Sequence, residues 1–349
     1  MNHCLTTPTI FAGEHHPART DESLWSAPIV PVERKPARDP RLVEKTARGV
    51  AVALNEIWGA CQRTGFGILM YHRVVDTIPG QPRPTWNVTP AQFEEQLSGL
   101  LKRGFDPWPL QRVLEHHEKQ WTIPRRVFVV TFDDGYQNNF TQALPILQKL
   151  RVPATIFLAT RYLDSNEPYP SDDWLLAGSS ETSPEMWKPM TTDECLQLQK
   201  SGLIELGAHT HSHDDYRGRP DYLRQDLQRC CEVLREKFGI ERPTFAFPYG
   251  TKHNGFAGRE LVEAARQTDV RCSLTTEAEL VTAKTDPFDW GRLVAEDIDT
   301  STTLAAKLGG WISAAKKLKN LIKGGRSTSI QSTAPHKPEP SPEPRDAAD

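Results

Sequence analysis

No two of the six cysteines stand in a C-x-x-C pair. They are scattered at Cys4, Cys61, Cys195, Cys230, Cys231 and Cys272 across 349 residues. That spacing argues against a cysteine metal cluster or a small disulfide framework, and it suits reduced thiols in a cytosolic setting. The adjacent pair Cys230-Cys231 falls in a helical stretch and reads as packing. Long apolar runs are also missing: none reaches the length of a membrane-spanning helix, and the first 40 residues hold no secretory hydrophobic segment. The expectation is a cytoplasmic protein. Charge of one sign is not in excess either. Forty-two Lys and Arg against 45 Asp and Glu leave a net charge of -3, so no overall electrostatic footprint for nucleic acid is present. No internal repeat of solenoid period is visible. What remains is a chain long enough for one large or two ordinary domains.

Residues 1–39 are proline-rich and without periodicity, which predicts a flexible arm. From 40 to 300 apolar, β-branched runs alternate with amphipathic stretches. Strands are expected at 67–71, 127–132, 152–159, 203–208, 244–247 and 270–274. Helices are expected at 41–62, 89–104, 138–150, 192–201, 220–238 and 258–267. Strand then helix with short connections indicates an α/β fold, either a parallel sheet or a barrel. Residues 161–189 interrupt the rhythm with Trp174, Trp187 and several prolines, as expected of a loop packed over the body or beside a site. Residues 301–323 read as an amphipathic basic helix. Its apolar positions within 304–322 fit peripheral contact with an anionic membrane or, the favoured reading, a cap on the fold. Residues 324–349 are a Ser/Pro-rich tract expected to be disordered.

Three strand ends carry the polar groups. Val127 to Phe132 is a buried-strand run that stops on Asp133, Asp134 and Gly135, where parallel sheets keep their ligand sites. Asp-Gly is also a hairpin signal, but the helical spacing that follows leaves no second strand to pair. Leu203 to Ala208 runs directly into His209-Thr210-His211-Ser212-His213. Two imidazoles four apart with one carboxylate form a facial set of the kind that binds a divalent metal, most suitably zinc. His211 is out of phase and expected to face away. Adjacent aspartates divide the labour: one ligates, and the other stays free as a base toward water whose pKa metal coordination lowers to about 7. The third strand end is Pro248-Tyr249-Gly250.

In order and spacing, TFDDG at 131–135, HTHSH at 209–213 and FPYG at 247–250 resemble the polysaccharide deacetylases of the NodB-homology type, carbohydrate esterase family 4. The likeness covers roughly residues 65–300. It implies a distorted (β/α) barrel with fewer than eight repeats, and a divalent metal held by Asp134, His209 and His213. It also implies Asp133 as general base, and the backbone N-H of Tyr249 as a donor to the oxyanion. The substrate implied is an N-acetylated carbohydrate.

Two departures matter. The arginine that usually opens the third motif is missing, and Arg292 in Asp289-Trp290-Gly291-Arg292 is the candidate to stand in for it beside Asp133. A structural ion pair is its plainer role. The late Leu-x-His motif is missing too. Instead Tyr71-His72 closes an early strand, as in the circularly permuted members that resemble poly-N-acetylglucosamine deacetylases. His72 would then be the general acid, with Asp269 holding its imidazole in the protonated form. Two other functions stay open, an amidase on a small C-N substrate and a non-catalytic carbohydrate-binding protein. Retention of both aspartates and both histidines argues against the second.

Overall fold

Strand residues of this chain sort by parity. In β5, Val127–Phe132, the residues Val127 and Val129 join one buried cluster, while Phe128, Val130 and Phe132 join another. Successive side chains of a strand leave on opposite faces, and both faces here are covered. The first cluster fills the inside of a ring of strands. The second lies between the ring and a layer of helices. The same parity holds in β1 (Gly67–Tyr71), β6 (Ala154–Leu158) and β7 (Ile204–Ala208), where Leu206 and Ala208 face the helices while Glu205 and Gly207 occupy the opposite, inner parity.

This computed structural model describes residues 41–60, 65–81, 84–170, 172, 182–311 and 314. Contacts divide the chain after Leu42, and the barrel belongs wholly to the second unit. The expected arm at 1–39, the basic stretch from 315 to 323 and the tail at 324–349 lie outside the described residues.

The main sheet is all parallel, in the order β10-β1-β5-β6-β7-β8-β9. Here β8 is Phe245–Ala246, β9 is Ser273–Leu274 and β10 is Leu293–Val294. An eighth strand, β4 (Asp106–Pro107), pairs with the first residues of β5, before β6 begins to pair. The two ends of the seven-strand path meet. Leu274 bridges Trp290 in parallel, Thr275 N donates to Trp290 O at 2.8 Å, and three residues later Leu293 pairs with Leu69 of β1. The result is the expected distorted barrel with fewer than eight repeats. A small parallel pair, β2 (Arg73–Val74) and β3 (Asn87–Val88), sits beyond β1.

Around the ring lie α1 (Arg41–Trp58), α2 (Pro90–Lys102), α4 (Leu144–Leu150), a short α5 (Pro184–Trp187), α6 (Thr192–Lys200), α7 (Pro220–Phe238), α8 (Arg259–Arg266) and α9 (Ser301–Leu308), while α3 (Leu110–Glu118) packs Leu110, Val113 and Leu114 onto the inner cluster. Capping explains several starts: Thr89 and Thr191 each form a reciprocal capping box with the side chain three residues on. The stretch expected as one helix at 138–150 opens instead with a π-turn, Asn139–Ala143, before α4. The strands β4 and β10 and the helix α3 had not been expected. The described part of the expected basic helix, α9, buries Leu304, Ala305 and Leu308 in the helix-facing core.

Candidate active site

Asp133 follows Phe132 with the inward parity of Val127, Val129 and Thr131, so the barrel itself turns this carboxylate toward its axis. It is buried at 2 % exposure, and Arg292, at 0 %, grips it with two nitrogens: Nη1 donates to Oδ1 at 2.5 Å and Nη2 to Oδ2 at 2.8 Å. Arg292 stands just ahead of β10 and is fixed further by Nε donating to Thr275 O. Burial alone would raise the Asp133 pKa. The Arg292 charge, with His209 and His72, outweighs it and holds the carboxyl below its usual range. Arg292, the candidate partner from the sequence, thus lies against Asp133.

Asp134 leaves the strand with φ 72°, which turns its side chain away from that of Asp133. Its Oδ1 lies 3.3 Å from His209 Nε2 and 3.2 Å from His213 Nε2. The three donor atoms fall within 4.8 Å of one another. His209 Nδ1 sits 2.8 Å from the carbonyl of Ala246. A carbonyl only accepts, so Nδ1 carries the proton and Nε2 offers its lone pair to the cluster. A carboxylate oxygen and two imidazole nitrogens brought together in this way fit a divalent cation. Asp134 is half-buried, which would raise its pKa, but the facing His209 and His213 imidazoles hold its carboxyl well below the usual range.

The backbone around the cluster is strained. Among the described residues, nine other than glycine have positive φ, and Asp134, Thr210, His213 and Tyr249 are four of them. Each costs on the order of 1 kcal/mol or more, and surrounding contacts must impose it. Tyr169 supplies one such contact, donating its hydroxyl to Asp134 O at 2.6 Å. It comes from the described part of the 161–189 insertion, which at Tyr169 packs beside the site. The insertion is tied down a second time by Asp172, which pairs with buried Arg73 at 2.5 Å next to His72. Neither Tyr169 nor Arg73 was singled out from the sequence; the aromatic-rich interruption was the available signal.

His72 closes β1 with Nε2 3.9 Å from Asp133 Oδ2, its ring stacked on Trp86 at 5.6 Å. Burial lowers its pKa, and the opposing pull of Asp134 and Asp133 does not restore it. Asp269 is not beside it. Strand β9 starts only at Ser273, so Asp269 precedes it and lies toward the opposite rim of the barrel. There it pairs with Arg235 of α7 at 2.8 Å and accepts from Gln228. The expectation that Asp269 supports His72 is therefore corrected: the loop into β9 is longer than the apolar run suggested. Tyr249 sits at φ 60° with its ring 5.2 Å from that of His213. The His211 ring turns to Thr160 Oγ1, 2.9 Å away, and stays outside the cluster.

The family model described as polysaccharide deacetylase matches residues 122–272. Among curated proteins, the chain is 27% identical over 225 residues to a poly-beta-1,6-N-acetyl-D-glucosamine N-deacetylase of Escherichia coli K12, covering 56% of this chain and 32% of that protein. It is 22% identical over 221 residues to the protein of the same name from Staphylococcus aureus N315, covering 61% and 69%. The chain thus spans about a third of the length of the Escherichia coli relative. Among solved structures it is similar to IcaB from Ammonifex degensii, with TM-score 0.59, 22% identity and coverage of 71% of this chain and 98% of that one. It is also similar to the Streptococcus pyogenes deacetylase PplD, with TM-score 0.57, 18% identity and coverage of 71% and 99%. At these identities the structural likenesses speak to the fold.

Proposed function

We propose that this chain, which carries a polysaccharide deacetylase domain of NodB type across residues 122–272, is a divalent-metal hydrolase that removes N-acetyl groups from an amino-sugar glycan. The observation that carries the reading is the division between two neighbouring acids. Asp134 faces two imidazoles, while Asp133 is withheld from them and kept ionised by Arg292. A protein that only binds sugars has no use for a spare carboxylate locked beside a metal-type cluster. The names of the curated relatives point to a β-1,6-linked N-acetylglucosamine polymer as the first substrate to test.

Asp134, His209 and His213 would hold the cation, and two imidazoles with one carboxylate suit zinc. When bound, it supplies a Lewis acid that polarises the acetamide carbonyl and acidifies water. Asp133 takes the proton of the water that attacks the carbonyl carbon. Arg292 keeps Asp133 ionised and weakly basic, so its carboxylate would accept a proton only from water whose acidity a bound cation had raised. The backbone N-H of Tyr249 would donate to the developing oxyanion. As the C-N bond breaks, the departing nitrogen takes a proton from His72, and acetate and a free amine leave. Burial makes the His72 imidazolium a stronger acid than an ordinary histidine's, which favours donation. His72 Nε2 lies 3.9 Å from Asp133 Oδ2, so the abstracted proton has a short path back to the imidazole.

The test is acetate release from N-acetylated glucosamine oligomers and from small amides, with and without chelator. Chelator-sensitive release from the oligomers is expected. Release from the small amides alone would replace the glycan with a small C-N substrate.

A further inference from the structure

Helix α7 buries Leu223, Leu227, Cys230, Cys231, Val233, Leu234 and Phe238, and among them one charged residue, Asp226, at 0 % exposure. An isolated carboxylate on an apolar helix face is costly unless its oxygens are well bonded. Asp226 is met by four groups, all from the histidine loop or just beyond it. Its Oδ1 accepts from His211 N at 2.6 Å and from the Tyr216 hydroxyl at 2.8 Å. Its Oδ2 accepts from the Ser212 hydroxyl at 2.7 Å, and Ser212 N lies 3.2 Å from both oxygens. The donors are neutral, and the Ser212 and Tyr216 hydroxyls among them also lie 3.1 Å from each other.

The loop so held is the one that carries the cluster's two imidazoles. Between His209 and His213 the chain passes through positive φ at Thr210 (67°) and again at His213 (58°), a path that side-chain-bearing residues rarely take. Thr210 Oγ1 accepts from His213 N at 3.1 Å, which closes the turn locally. That single bond does not explain why two unfavourable residues persist three apart. The carboxylate beneath does: it binds the two amides between them, His211 and Ser212, so the turn cannot relax without stripping a buried charge of its partners.

We propose that Asp226 is the positioning residue of the metal site. It touches no ligand atom; it holds the 210–213 turn in the strained form that aims His209 Nε2 and His213 Nε2 at Asp134. An asparagine cannot replace it, because each oxygen accepts from at least two donors and the amide NH2 would face donors in either orientation.

The experiment compares the full chain with Asp226→Asn, reading zinc affinity by calorimetry and amide hydrogen exchange of the metal-free protein. Asp226→Asn is expected to weaken zinc binding by about 10- to 100-fold, the range found when a group supporting a metal ligand is removed. It should also speed exchange at His211 and Ser212 in the metal-free form. Leu261→Ala, in α8, is the control for general destabilisation and should leave zinc affinity alone. Should Asp226→Asn not fold, Ser212→Ala and Tyr216→Phe each remove one donor while leaving the carboxylate, and each should cost up to about fivefold. Zinc affinity and exchange rates unchanged in these variants overturn the proposal, as does an equal loss in Leu261→Ala. The proposed reaction fails separately, when the unaltered protein binds zinc but releases no acetate from any acetamide.

Discussion

Asp133 and Asp134 are the same residue type one peptide apart, and what separates their chemistry is which face of the backbone each leaves from. Asp133→Asn is expected to leave metal binding intact and to lower turnover by about 10²- to 10⁴-fold, the usual weight of a general base. Metal content by elemental analysis alongside acetate release checks both halves, and normal turnover would remove Asp133 from the reaction. His72→Ala should likewise retain the metal while lowering turnover; normal turnover would return His72 to the status of a packed histidine beside Trp86. The site was legible wherever its residues lie close in sequence: the paired acids at a strand end and the histidines four apart declare themselves by spacing. Arg292 was legible only as a candidate, since nothing in a chain of letters says that a residue 159 positions away closes onto Asp133. Asp226 left a trace that went unread. It shares the apolar stripe of Leu223, Leu227 and Cys230, where a carboxylate is out of place without a partner.

At the scale of elements, β7 shows how tightly the inside of the ring is filled. A Cβ added at Gly207 would come within 2.6 Å of the Phe157 ring and 3.0 Å of the Thr244 carbonyl. Gly207→Ala should therefore cost about 1–3 kcal/mol and lower the melting temperature by several degrees, whereas an unchanged melt would mean that the neighbouring strand can give way. Two residues earlier, Glu205 has its pKa pushed up to about 7 from 4.5. Burial is the main cause and Glu115 adds to it, against hydrogen bonds from Thr155 and Gln111 N and the charge of Arg271. The folded chain thus keeps a proton that the unfolded chain has already lost between those two values. Stability should fall as pH rises from about 4.5 through about 7 and level off above it, by roughly 3 kcal/mol as an upper bound. Glu205→Gln should flatten that part of the curve; an unchanged pH dependence of melting would show that Glu205 ionises freely in the folded protein. The long helices and the strands of five or six residues were legible because their periodicity runs for several residues. The two-residue strands β4 and β10 have no period to detect, and they exist because their neighbours offer edges. For the same reason the start of β9 was misjudged, and Asp269 with it.

For the whole molecule, occupancy of the proposed metal centre should register as stability, since a ligand that binds only the folded chain stabilises it by mass action. At a hundredfold excess over its dissociation constant a divalent cation should contribute about 2.7 kcal/mol, a rise of roughly 5 °C in melting temperature for a domain of this size. The double substitution His209→Ala, His213→Ala should abolish the rise. A shift that survives it would place the cation elsewhere. No helix among the described residues is long and apolar enough to cross a membrane. The seam between β9, Trp290 and β10 carries a consequence for how the chain comes into being. The family-matched stretch ends at Cys272, while the strand that seals the ring and the guanidinium that grips Asp133 lie beyond it. On a ribosome, every strand of the ring but β10 would be made before Arg292 emerges, so a nascent chain would hold Asp133 without its guanidinium partner in an unsealed cup. The proposed activity would then arrive late, with the last turn of synthesis around the ring, and a gene fragment cut to the matched stretch would encode the three motifs without Arg292.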